Sequence, residues 1–123
     1  MSLYRIVGGD VGTRLLFTVR EWPIGTAPTQ GTLPPIVDLS AATSLRLILI
    51  PPVPILSQGV AAQTVVATLY TNGTDGIIQY TTIAGDIPSI PFIGRAQLWH
   101  VRPMFTLLGW SGKGEPDFFW VDP

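Results

Sequence analysis

Residues 64–82, TVVATLYTNGTDGIIQYTT, decide the fold. Two segments rich in valine, isoleucine, threonine and tyrosine, 64–71 and 77–82, flank a turn that contains Asn72-Gly73 and Asp75-Gly76. Both dipeptides favour the positive φ angles of tight turns, and β-branched and aromatic residues favour strands. The stretch therefore predicts a β-hairpin with a tight connection.

The same strand pattern continues on both sides of this hairpin. Residues 14–20 alternate, with Leu15, Phe17 and Val19 on one face, as expected for a half-buried strand. A strand at 44–50 should end at the prolines that follow, because proline cannot donate a hydrogen bond to a neighbouring strand. The remaining predicted elements are strands at 94–102, 104–110 and 117–121, a turn at 111–114 and a candidate edge strand at 4–7.

No helical period interrupts these strands, and the 13 glycines and 12 prolines fall every few residues. Short strands separated by frequent turns predict an all-β chain, a single Ig-like antiparallel β-sandwich of about seven to eight strands. No repeat or linker divides the chain, so residues 1–123 are expected to form one domain. Residues 23–35 exceed what a hairpin needs, and their composition fits either a functional or a disordered loop.

Composition excludes several classes of function. The chain has no cysteine, so it has no thiolate nucleophile and no cysteine-ligated metal. The single histidine, His100, leaves common metal and acid–base sites incomplete, and we expect neither a metal nor a cofactor. A net charge of -1 and a pI of 5.6 lack the basic surface that nucleic acid requires, so nucleic acid is not an expected partner.

Apolar residues are in surplus. They make up 46% of the chain and charged residues only 12%, whereas soluble domains carry roughly 25% charged residues. A domain of 13.3 kDa cannot bury all of this surface, so part of it should face a partner. The longest apolar stretch, 47–56, is interrupted by prolines and is shorter than the roughly 20 residues of a membrane span. The N-terminus lacks the pattern of a signal peptide, so we expect synthesis in the cytoplasm and no membrane partner.

The order of motifs resembles a known family. Gly9-Asp10 precedes the first long strand, 37–43 (VDLSAAT) introduces the apolar strand that ends in Pro51-Pro52, and 75–80 (DGIIQY) follows a turn. Further matching features are Gly85-Asp86, Gly94, 97–99 (QLW), Gly112 and Phe118. This arrangement, over about Gly8 to Val121, is similar to the N-terminal domain of phage baseplate upper proteins. In that family the first connection is a short hairpin, whereas here it is the loop at 23–35.

The resemblance implies a structural role in a tailed-phage virion. Domains of this family dock onto a tail or baseplate core and perform no catalysis. The expected function is therefore a non-enzymatic assembly or adaptor module of the baseplate or tail, or a head decoration protein, made in the host cytoplasm and located in the virion. Expected partners are other virion proteins and further copies of the chain.

Candidate catalytic residues favour structural roles. Ser40, His100 and Asp86 include the residue types of a hydrolytic triad, but no Gly-x-Ser-x-Gly elbow surrounds a serine. Asp117 and Asp122 could pair as in glycosidases, but they lie near the chain end with nothing to separate their pKa values. Residues 38–43 fit a turn capped by side chains better than a binding loop. The sequence therefore predicts no catalytic, metal or cofactor site.

Four tryptophans raise a carbohydrate-binding module as the alternative function, since exposed indole rings stack on sugars. Trp99 and Trp110 lie within predicted strands and should be core residues, whereas Trp22 and Trp120 should be more exposed. Prolines order a chain before docking and tryptophan dominates many interfaces, which favours a protein contact. The predicted interface residues are Trp22, Pro23, Ile24, Pro34, Pro35, Pro51, Pro52, Pro54, Ile55, Leu56 and Trp120.

Overall fold

A computed structural model describes residues 4–22, 27–28, 31–57, 59–88, 95–107 and 110–123. Over these residues the chain forms nine strands and one single-turn helix, which confirms the all-β class. None of the described helical residues forms a segment that is long and apolar enough to cross a membrane. The elements are β1 Tyr4–Val7, β2 Arg14–Thr18, β3 Ser44–Ile50, α1 Val53–Leu56, β4 Gln63–Val66, β5 Thr68–Leu69, β6 Ile77–Thr81, β7 Gln97–Leu107, β8 Trp110–Lys113 and β9 Asp117–Asp122.

The strands form two sheets. The large sheet has six strands in the order β1-β9-β7-β3-β4, with β8 also paired to β7. The small sheet has three strands in the order β2-β6-β5. All pairs are antiparallel except β1 with β9, so the predicted edge strand is present and runs parallel to its neighbour.

One hydrophobic core joins the inward faces of the two sheets. The alternation predicted for β2 is confirmed, because Leu15 and Phe17 are fully buried. From the large sheet, Leu47 and Leu49 of β3 join them, and Trp99 of β7 stacks on Phe119 of β9 with ring centroids 5.9 Å apart. Because strand side chains alternate, these buried residues fix which residues of each strand face outward.

The predicted break at Pro103 is wrong, since β7 runs through it as one strand of 11 residues. The amide nitrogen and carbonyl of a strand residue point the same way in an antiparallel sheet, and the Pro103 carbonyl accepts a 2.9 Å hydrogen bond from Gly114 N–H. Gly114 lies between β8 and β9, where β7 changes partner. The missing N–H of Pro103 therefore lies where no hydrogen bond between strands is required. Residues 111–113, which the sequence predicts as a turn, are part of β8.

The strand predicted at 64–71 is two strands in different sheets. β4 pairs with β3 of the large sheet, whereas β5 pairs with β6 of the small sheet. Ala67 lies at the change, is buried, and donates its N–H to the Leu45 carbonyl. A small side chain at this point lets the backbone cross between the sheets without filling the core.

The hairpin from β5 to β6 is confirmed, although its loop is longer than a two-residue turn. Tyr70 N–H bonds to the Ile77 carbonyl and closes the connection. Gly73 and Gly76 have the positive φ angles of +94° and +68° that their dipeptides predicted. Side chains of Asn72 and Asp75 accept hydrogen bonds from the backbone two residues on, which orders the loop.

Candidate functional site

The outward face of the large sheet carries partly exposed apolar side chains where a solvated face would carry polar ones. We call Ile48, Ile50, Leu98, Phe118 and Trp120 the apolar patch. They face outward because each alternates with buried residues of its own strand. The patch therefore follows from strand periodicity in β3, β7 and β9.

Strand register brings these side chains together. Ile50, His100 and Phe118 form one row across three strands, and the His100 and Phe118 rings meet edge to face with centroids 4.6 Å apart. Leu98 and Trp120 form the next row. Residues that are far apart in sequence thus form one continuous surface, and the ion pair between Arg5 and Asp122 at 2.8 Å borders it.

The other end of the same face is basic and polar. Its cations come from β3, β7 and β8, and three hydroxyl side chains form the row beyond them. We call this region, about 710 Å³ in volume, the basic groove. It is lined by Arg46, Arg102, Lys113, Ser44, Thr106, Ser111, Met104, Phe105, Gly112 and Glu21.

The cations of the basic groove have no salt bridge to a carboxylate within the described parts of the chain, where Arg5 and Asp122 form the ion pair. Arg102 Nε donates to the Gly114 carbonyl at 3.2 Å, which orients its guanidinium. Like charges on neighbouring strands repel each other. The arrangement therefore does not stabilise the isolated chain.

Glu21 lies at the margin of the basic groove against Gly112, with no room for a side chain at position 112. Burial raises the pKa of its carboxyl, and the Lys113 backbone N–H and the Arg102 charge offset part of the rise, whereas Glu115 adds to it. Its Oε2 is buried, and no described residue forms a hydrogen bond with it.

The structure buries three of the predicted interface residues, which corrects that part of the prediction. Pro34 and Pro51 are buried, and Ile55 is only 4% exposed because the turn of α1 directs it into the core. These three side chains support the fold and are not available to a partner.

The other predicted interface residues are more accessible or fall outside the described residues. Pro35 is exposed and Leu56 is 41% exposed. Trp22, Pro52, Pro54 and Trp120 are half-buried, so the two tryptophans are less exposed than expected. Pro23 and Ile24 lie outside the described residues. Trp120 is the predicted residue that the structure places in the apolar patch.

The candidate catalytic triad does not assemble. Ser40 precedes β3, whereas His100 pairs with Ile50 at the opposite end of that strand, roughly 20 Å away at 3.3 Å per residue. Asp86 is buried and accepts hydrogen bonds from Tyr80 Oη at 2.5 Å, Ile83 N–H at 2.8 Å and Gln63 Nε2 at 3.2 Å. Its carboxylate is thus occupied by structural partners.

The other candidate groups also occupy structural positions. Asp117 and Asp122 are five residues apart on β9, so they face opposite sides of the sheet roughly 17 Å apart, beyond glycosidase spacing. The Ser40 N–H and hydroxyl hold the pKa of Asp38 below its usual value, which confirms the predicted capped turn. Trp99 is a core residue as predicted, and Trp110 lies in β8. No cluster of three or more His, Asp or Glu able to hold a metal occurs in the described chain.

Comparisons with protein-family models, with curated proteins and with solved structures found no match to this chain. Functional inference therefore rests on the surface itself. Sequence reasoning missed the apolar patch except for Trp120, and it missed the basic groove entirely. Alternation in β3 could have placed Ile48 and Ile50 outward, but only the strand order brings them beside Phe118.

Proposed function

We propose that this chain is a non-enzymatic assembly module, a structural component of a tailed-phage virion, which docks through the outward face of its large sheet. The apolar patch carries the proposal. Burying apolar surface is the main driving force of protein association, and the half-buried side chains of the patch form one contiguous apolar surface of the kind that marks interaction sites. The resemblance to baseplate upper domains supplies the virion context.

The geometry of the patch fits docking to a protein surface. The three strands that carry the patch are each paired on both sides, so their backbone is already ordered and little further backbone ordering is required on binding. Trp120 lies within the patch, and tryptophan is enriched among the residues that dominate interface energies. The unpaired cations next to the patch would give the contact a preferred orientation.

Labelled particles test the proposal. A tagged chain is produced in infected cells, and purified tailed particles are imaged by electron microscopy after gold labelling of the tag. Ile48→Lys should remove the label, because it places a charge in the apolar patch. Gln79→Lys introduces the same charge on the outward face of the small sheet and should leave the label in place.

Two outcomes would contradict the proposal. Particles without label from the unsubstituted chain would exclude a virion component, and equal labelling with both variants would exclude the apolar patch. A carbohydrate-binding module is the second candidate, favoured by the cations and hydroxyls of the basic groove. Retention on an acidic polysaccharide that is lost in Arg102→Gln would move the assignment to that function.

A further inference from the structure

We propose that the apolar patch is the contact surface of a symmetric dimer, in which a second copy of this chain packs face to face. The two-fold axis runs across the strands through the row Ile50, His100 and Phe118. This inference rests on the proposed function and names a second copy of this chain as the partner onto which the apolar patch docks, so that the particle takes up the chain as a dimer. Three observations carry it: the apolar rows, the charge at the two ends of one strand column, and the size of the face.

The axis row is the centre of the apolar patch. Ile50, His100 and Phe118 lie side by side, with Ile48 in the row on one side and Leu98 and Trp120 in the row on the other. A two-fold axis along the central row brings each of its side chains against its own counterpart. Interfaces of this kind are self-complementary, so Ile50 and Phe118 each meet an identical side chain, whereas Arg102, which lies opposite Ile48, comes over Leu98 of the other copy.

The charges favour a second copy in this orientation. β8 and β9 follow one another along the same side of β7, so they form a single column of the sheet. Lys113 lies opposite Met104, four residues from His100, and Asp122 lies four residues beyond Phe118 in the other direction. Rotation about the central row exchanges these two positions. Lys113 of each copy therefore faces Asp122 of the other, which also pairs with Arg5 of its own copy at 2.8 Å, and this contact forms twice.

The alternative two-fold axis, parallel to the strands, is disfavoured by the same charges. It would leave both basic grooves at the same end and bring Arg46, Arg102 and Lys113 against the cations of the other copy. Like charges that face each other across an interface are strongly unfavourable. The unpaired cations thus select the axis across the strands.

The size of the face suits a dimer. β7 has five outward positions, β3 has four, β1 and β4 have two each and β8 and β9 together have five, so at spacings of about 4.8 Å and 6.6 Å the face covers roughly 600 Å² on each copy. Stable interfaces bury about 800 Å² per partner. Facing sheets pack about 10 Å apart, which leaves space for the side chains of both copies.

Single-cysteine variants test the geometry, since the chain has no cysteine of its own. His100→Cys lies on the proposed axis and should give a covalent dimer with a short bismaleimide that spans about the sheet spacing of 10 Å. Met104→Cys lies on the same strand, and its counterpart would be roughly 27 Å away, so it should not cross-link. Thr81→Cys, on the outward face of the small sheet, is the control for random collision.

Sedimentation supplies the second measurement. Ile50→Lys brings two cations together on the axis and should weaken dimerisation roughly 30-fold or more, as for a central interface residue. Gln79→Lys should leave it unchanged. Cross-linking of Met104→Cys in place of His100→Cys would overturn the axis, and a monomer at millimolar concentration would overturn the dimer. If the chain is a monomer and Ile48→Lys still removes the label from particles, the dimer is excluded and the apolar patch docks onto a different protein.

Discussion

Two regions differ in how well their polar groups are hydrogen-bonded or paired. One is the set of loops that join the strands of the small sheet, and the other is the basic groove on the large sheet. In the loops, Asp86 accepts hydrogen bonds from three partners, and Gly73 packs directly on backbone atoms of Leu39 and Ser40. In the basic groove, the cations have no salt bridge and Glu21 Oε2 has no hydrogen-bond partner among the residues that the structure describes. Close packing and satisfied polar groups stabilise a fold, whereas unsatisfied ones do not. The difference shows that the loops maintain the structure, and it agrees with the proposal that the outward face of the large sheet contacts another molecule.

The largest expected effect is at Gly73. A Cβ atom there would lie 2.6 Å from Ser40 N and 2.8 Å from the Leu39 carbonyl carbon, and φ is +94°. Left-handed strain of about 1–2 kcal/mol and overpacking of about 1–3 kcal/mol together predict that Gly73→Ala lowers the free energy of unfolding by roughly 2–5 kcal/mol. Denaturation by urea measures the loss.

Gly85→Ala is the matched control for that prediction. Gly85 has φ +90° but no atom within 4 Å of the added Cβ, so only the strain of about 1–2 kcal/mol applies. If the two variants lose equal stability, contact with residues 39–40 does not hold the loop, and the contrast between the two regions fails.

A smaller effect is expected from Tyr80→Phe. Burial and the Asp86 hydrogen bond raise the pKa of Tyr80, so its hydroxyl remains a donor at neutral pH. Removal of that donor leaves a buried carboxylate with one partner fewer, which should cost about 1–3 kcal/mol of unfolding free energy.

Tyr70→Phe controls for the loss of a hydroxyl. Tyr70 is exposed, and its ring lies under Arg14 at 5.5 Å, a contact that phenylalanine retains. Its variant should stay within about 0.5 kcal/mol of the unsubstituted chain. Equal losses in the two variants would show that the bond to Asp86 is not the source of the effect.

Local patterns predicted the strands but not their neighbours. Residues 44–50 and 77–81 form strands because alternation and turn residues act over a few positions, and both predictions are confirmed. The predicted strand break at Pro103 is wrong because a proline interrupts a strand only where its missing N–H would face a paired neighbour. The change of sheet at Ala67 is not predictable from the sequence. Residues 64–71 are a continuous run of strand-forming residues, and nothing in the run indicates that its two halves pair in different sheets.

The candidate site depends on strand order even more strongly. Arg46, Arg102 and Lys113 are separated by 56 and 11 positions in sequence, and only the pairing of β3 and β8 with β7 brings them together. Composition predicts an apolar surplus that faces a partner, and this stays a prediction. Composition could not locate the patch. The proline-rich segment at 51–54, which the sequence predicts as an interface, leads into a helical turn whose Ile55 is buried in the core.

The smallest expected effect is at Glu21. The pH dependence of its contribution to the free energy of unfolding tests whether the polar groups of the basic groove are unfavourable for stability. Because burial raises the pKa of Glu21 above its usual value of 4.5, the folded chain holds this proton more tightly than the unfolded chain. Stability from this group therefore falls as pH rises through the folded-state pKa. Glu21→Gln should be more stable than the unsubstituted chain at pH 7, by less than about 1 kcal/mol because solvent screens the accessible part of the group, and the gain should vanish below pH 4.5.

Asp38→Asn is the opposite case. The pKa of Asp38 is lowered in the folded chain, so its carboxylate stabilises the fold at pH values above the usual pKa of 3.8, and the variant should lose stability at pH 7. Urea denaturation at the two pH values measures both variants, and a Glu21→Gln variant that is less stable at pH 7 would show that the bond from Lys113 N–H outweighs the cost of burial.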